Sequence, residues 1–128
     1  MATIKSYTDL EQSKVLAYIL PLESADMYYE KGIGDNYRID FGNYADMSIS
    51  KNLLHIDAIP CWSLSALLNI LAKIASEIDD DGSANLSSFM GQWSVNMFDC
   101  PIEATDNYDN PVDACYNLII KLHEKDLL

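Results

Sequence analysis

The sequence predicts an α+β fold, three helices on a mostly antiparallel sheet in the order helix, strands, helix, two strands, helix. Three observations carry that expectation. Apolar residues recur at helical spacing over 8–20, 64–78 and 109–128. Between them, short runs alternate, most clearly where Tyr37, Ile39 and Phe41 stand against Arg38 and Asp40. Turn residues join these runs to one another rather than to intervening helices, which favours hairpins over parallel crossovers. The 128 residues fit one domain, 1–128.

The first helix is expected over 8–20, with Thr8 and Glu11 as a capping box and Leu10, Val15, Leu16 and Ile19 on its face. Pro21 ends it. A tyrosine-rich strand over 26–31, the turn Gly32-Ile33-Gly34-Asp35-Asn36 and a strand over 37–41 make a hairpin. Residues 42–46 read as irregular. Short strands follow over 47–49 and 53–58, the second turning Leu54, Ile56 and Ala58 inward and closed by Pro60.

Ser63 caps the second helix, 64–78, whose core stripe is Leu64, Leu67, Leu68, Leu71, Ile74 and Ile78. Residues 79–85 read as a polar loop. Residues 89–98 read as strand, broken or turned at Gly91, with Trp93, Val95 and Met97 alternating. After Cys100 and Pro101, residues 102–104 return as a short strand. The closing helix is the best defined: Asn110 is its N-cap, Pro111 suits its first position, and Val112, Cys115, Leu118, Ile119 and Leu122 form its buried face. Residues 66–74 and 114–122 share Ala, Asn and Lys at equivalent positions, which leaves open a division into two ββα-like halves.

Twenty acids against eight bases give a net charge of −12. That field repels nucleic-acid backbone and anionic lipid, so no direct nucleic-acid or membrane partner is expected. It suits a basic or nucleic-acid-binding protein partner, and equally it serves solubility alone. Cys61, Cys100 and Cys115 stand far apart with no CxxC, which predicts reduced thiols and a cytoplasmic protein. The first residues lack the apolar run of a secretory signal.

No catalytic, cofactor-binding or metal-binding residue is assigned. With Gly82 at the EF-hand glycine, Glu77, Asp79 and Asp81 fall on ligand positions, but Ser88 stands where the bidentate glutamate belongs, so a solvated loop is expected. His55 and Cys61 lack a third ligand, and His123 suits a helix C-terminus. Phosphate loops, GxSxG elbows and HExxH motifs are missing. Tyrosine is the unusual ingredient, at eight residues. Tyr28, Tyr29, Tyr44, Asp35 and Asp46 are the candidate partner-binding residues, because tyrosine offers contact area at low entropic cost. The alternative is that Tyr28 or Tyr29 and Tyr37 are half-buried sheet residues. Trp62 and Trp93 are read as core anchors.

Leu20–Tyr28 (LPLESADMY), Ile59–Leu68 (IPCWSLSALL) and Asp109–Cys115 (DNPVDAC) resemble small uncharacterised proteins encoded by phages and mobile elements of gut bacteria. The last third, with Trp93-Ser94-Val95 followed by Pro111-Val112-Asp113-Ala114, distantly resembles the phage alpha-beta-alpha sandwich domain. The resemblance brings no established activity and no site residues; together with the missing catalytic motifs and the acids and tyrosines around Met27–Tyr44, it leads to the expectation of a non-enzymatic accessory protein of phage or mobile-element origin acting by protein binding. An acidic decoy that mimics nucleic acid is the alternative within binding proteins; a small hydrolase or transferase is the rival class. An uncovered edge strand would also allow a homo-oligomer.

Overall fold

The computed structural model describes residues 5–34, 36–51, 58–98 and 106–128. The fold is α+β, with four helices among the described residues and two antiparallel sheets. Its contacts divide into two compact units, Tyr7–Ala66 and Met1–Ser6 with Leu67–Leu128.

In the N-terminal unit, α1 (Leu10–Leu16) is shorter than its apolar pattern implies. Asp9, not Thr8, is the N-cap: its carboxylate accepts from the Gln12 N–H, and the Gln12 side chain accepts from the Asp9 N–H. The box sits one residue later than expected because Thr8 is buried and engaged elsewhere. A 3-10 turn (Leu22–Ser24) leads into β1 (Met27–Lys31), β2 (Tyr37–Phe41), α2 (Tyr44–Lys51) and β3 (Ala58–Cys61). The sheet order is β2-β1-β3, both pairs antiparallel.

Two expectations fail here. Residues 42–49 hold a helix, not an irregular stretch and strand: Asn43 caps it, its side chain accepting from the Asp46 N–H, and Tyr44 and Met47 turn inward at helical spacing. Pro60 does not close a strand but lies inside β3, opposite Tyr28. A proline is tolerated there because β3 is an edge strand and its missing N–H faces away from β1. The expected strand at 53–58 falls mostly outside the described residues.

The C-terminal unit takes most of α3 (Leu64–Ile78), then β4 (Ser83–Phe89), β5 (Gln92–Phe98) and α4 (Pro111–Glu124). The Ser63 hydroxyl accepts from the Ala66 N–H at the start of α3. Leu67, Leu71, Ile74 and Ala75 are buried along that helix, while Leu64, Leu68 and Ile78 are only half-buried. The polar loop is shorter than predicted, since β4 begins at Ser83. Gly82 permits that early start: a Cβ there would lie 2.2 Å from the Ala75 carbonyl oxygen.

β4 and β5 pair over their whole length, Ser83 opposite Phe98 through Phe89 opposite Gln92. Met90 (φ 53°) and Gly91 (φ 80°) both occupy the left-handed region, as a tight two-residue hairpin turn requires. The predicted break at Gly91 is therefore the hairpin tip. Two strands precede α4 here, whereas three strands and a helix lie between α1 and α3, so the two halves are not alike in their elements. The expected return strand at 102–104 lies outside the described residues.

α4 packs on β5, and its predicted face (Val112, Cys115, Leu118, Ile119, Leu122) is wholly buried. Asn110 caps it, its carbonyl oxygen accepting from the Asp113 N–H at 2.8 Å; Lys5 donates to the Asp113 carboxylate at 2.9 Å. The helix ends in a Schellman turn, with Asp126 at φ 57° and Leu127 N–H donating to Leu122 O. Asn110→Ala removes the cap and should lower stability by about 1 kcal/mol, read as a lower urea midpoint at unchanged slope.

Candidate functional site

The tyrosines and acids singled out from the sequence do not assemble into one exposed surface. Tyr28 (5% exposed) and Tyr44 (2%) are core residues. Tyr29 is half-buried; its hydroxyl donates to the Thr8 carbonyl at 2.8 Å and its ring meets Tyr7 edge-on at 6.5 Å. Asp46 is exposed in the first turn of α2. Asp35 lies outside the described residues, as do His55 and Cys100. Tyr28 and Tyr44 were misplaced because β1 is central in its sheet and α2 turns Tyr44 inward, neither of which a local pattern announces. Trp62 is fully buried, its indole N–H donating to Ser24 Oγ, and Trp93 is half-buried.

Beside Tyr29 lies a buried polar cluster. Thr8 Oγ1 is 2.7 Å from Ser13 Oγ and 3.5 Å from Cys61 Sγ, and it accepts from the Trp62 N–H at 3.2 Å. The Cys61 thiol donates to the Thr8 carbonyl at 3.4 Å. Burial, above all, raises the thiol pKa, and burial likewise raises that of the Tyr29 hydroxyl, with the nearby Cys61, Tyr7 and Asp9 adding to it. A protonated thiol bonded to a carbonyl is a poor nucleophile, so the chemistry of this cluster is structural. Among the described residues, no group of three or more His, Cys, Asp or Glu could hold a metal ion. No described helix is long and apolar enough to cross a membrane.

The feature that could receive a ligand is a half-open groove of about 750 Å³ in the N-terminal unit. Its apolar lining comes from half-buried Ala17 and Leu22, over a floor of the buried β3 residues Ala58–Pro60. Tyr18, 93% exposed, and half-buried Tyr37 supply two aromatic rings, and Lys14 and Lys31 supply two ammonium groups. No described carboxylate lines it. Lys14 reaches Glu11 only at 3.9 Å on an exposed helix turn, a contact worth little, and Lys31 forms no ion pair among the described residues. In a chain of net charge −12, this is a local reversal of sign.

Sequence reasoning reached Tyr37 and the 26–31 strand but not the groove. Lys14, Lys31 and Ile59 are distant in sequence, and only the packing of α1 against β3 and the β2-β1-β3 order bring them together. No family model, curated protein or solved structure matches the chain.

Cys115, fully buried on α4, has its pKa pushed from 9.0 up to about 12 by burial. The folded state keeps a proton that the unfolded chain releases above pH 9. Its contribution is therefore complete below pH 9 and is lost as pH rises from 9 towards 12. The urea midpoint should fall across pH 9–11, more steeply than in Cys115→Ala; parallel curves would contradict the assignment. Native protein should also leave Cys61 and Cys115 unalkylated until it is unfolded, as peptide mapping would show.

Proposed function

We propose that this chain is a non-enzymatic accessory protein, of the phage and mobile-element kind its motifs resemble, and that it works by binding another protein. The observation that carries the reading is the groove, which joins an apolar floor, two tyrosine rings and two lysines without a lining carboxylate. Recognition sites combine these parts: apolar contact supplies free energy, tyrosine offers rigid area, and a few charges set orientation. The segment that enters carries aliphatic or aromatic side chains for Ala17, Leu22 and the Tyr18 and Tyr37 rings, flanked by carboxylates for Lys14 and Lys31. Outside the groove, the net charge of −12 attracts partners that are basic overall, so the segment is an acidic island on such a partner.

Panning a random peptide library against the full chain tests this. Enriched peptides should pair apolar residues with Asp or Glu, and Lys14→Glu with Lys31→Glu should weaken their binding at least about tenfold, a change of roughly 1.4 kcal/mol. Far-UV circular dichroism should remain unchanged, since both lysines are exposed. Failure to enrich any peptide, or binding indifferent to the double charge reversal, would reject the groove as the site.

A further inference from the structure

Residues 83–98, the whole of the β4–β5 hairpin, contain no Asp, Glu, Lys, Arg or His, in a chain that is 22% charged. The hairpin is also exposed: Phe89 (78%), Met90 (86%) and Phe98 (54%) all face solvent. Among the edges of the described strands, β4 alone lacks a safeguard against pairing. The outer edge of β2 carries Arg38 and Asp40, β3 carries Pro60 and is followed by the Thr8–Trp62 backbone bond, and β5 is covered where Trp93 and Tyr108 exchange backbone bonds at 2.7 and 2.8 Å. β4 has seven residues, with no charge, proline or bulge.

The hydrogen-bond alternation fixes which β4 groups point outward. Trp93 directs both backbone groups away from β4 and towards Tyr108, so its partner Ser88 directs its own to the opposite side. By the same alternation, the N–H and C=O of Leu86 and Ala84 point to the open edge. No described backbone group bonds to them there.

We propose that a second copy of this chain occupies that edge, β4 pairing antiparallel with β4 of the other copy about a two-fold axis at Leu86. Leu86 then exchanges backbone bonds with the other Leu86, and Ala84 does so with Ser88. The register is self-complementary in three ways. It keeps Ala84, Leu86 and Ser88 of both copies on the face shared with buried Val95 and Met97. On the opposite face it sets Phe89 beside the small Ser83 of the other copy, and Ser83 is already flanked by Phe98, so the two exposed rings meet across it. It also places each copy's acidic turn, Asp79–Asp81, beside the uncharged tip of the other rather than beside its equivalent. A parallel alignment would oppose like charges. This pairing uses different residues from the groove and stands independently of it.

Sedimentation equilibrium of the full chain over a concentration series, with amide exchange by NMR, tests the proposal. A monomer–dimer equilibrium is expected, tightening as salt screens the repulsion between two chains of charge −12. The Ala84, Leu86 and Ser88 amides should exchange more slowly as concentration rises, while those of Asn85 and Ser87, already bonded to β5, should not change. Ser88→Pro removes an outward N–H without touching the β5 ladder and should weaken association at least about tenfold, with the circular dichroism unchanged. Exposed Ser87→Glu, which leaves every backbone donor in place, should weaken it too. A monomer at all concentrations, or a dimer whose Ala84, Leu86 and Ser88 amides do not respond to concentration, would overturn the pairing.

Discussion

Thr8 is the point on which the N-terminal unit is fastened. It has no exposed surface, yet each of its polar groups is engaged: its N–H donates to Trp62 O, its hydroxyl meets Ser13 and the Trp62 N–H, and its carbonyl accepts from Tyr29 and Cys61. These bonds join the start of α1, the end of β3 and the middle of β1. Loss of the hydroxyl would leave buried partners without their hydrogen bond, at about 1–3 kcal/mol each. The groove depends on the same fastening, because Lys14, Ala17 and Tyr18 lie on or just beyond α1, while Ala58, Ile59 and Pro60 belong to β3. Asp26 repeats the device just beyond, at the same end of the sheet, accepting from both the backbone and the hydroxyl of Ser63.

The uneven distribution of charge gives the surface its meaning. Twenty acids among 128 residues would, if spread evenly, leave an exterior that repels any anionic group. Among the described places that depart from that field are the groove and the β4–β5 hairpin. In the groove, lysines replace acids beside apolar side chains; in the β4–β5 hairpin, charge vanishes. An attractive charge on an apolar floor selects a ligand of opposite sign. A neutral strand edge selects another backbone, because only there can hydrogen bonds form without opposing carboxylates.

The sequence was most legible where a single element holds all its signals. α4 shows Asn110, Pro111 and a buried stripe in local order, and each falls where expected. The hairpin over 27–41 was readable for the same reason. Legibility failed where one residue has two uses. Thr8 has the chemistry of a cap, but its burial against Trp62 hands that task to Asp9. Asn43 is an ordinary N-cap, but Gly42 before it and Ile49 within it weaken the helical pattern. Pro60 looked like a terminator because a sequence does not say which strand lies at an edge. Tyr28 and Tyr44 carried the composition of a binding surface, and it is the strand order and the phase of α2 that send them to the core. The groove was illegible altogether, being a product of tertiary packing.

Edges also decide where association stops. An open β-edge on each side of a sheet allows copies to add without limit, which is the route to fibres. Here β5 is covered at Trp93 by Tyr108, so pairing through β4 consumes the one unguarded described edge of that sheet. A two-fold contact of this kind is isologous and closes on itself. Met90 fits the same account. A methionine held at φ 53° stores about 1–2 kcal/mol that glycine would not, and at 86% exposure it contributes little to its own core. In the proposed pairing, its place at the tip would set an uncharged side chain beside the acidic turn of the other copy. There too, the exposed rings of Phe89 and Phe98 gain contacts that one chain alone does not make.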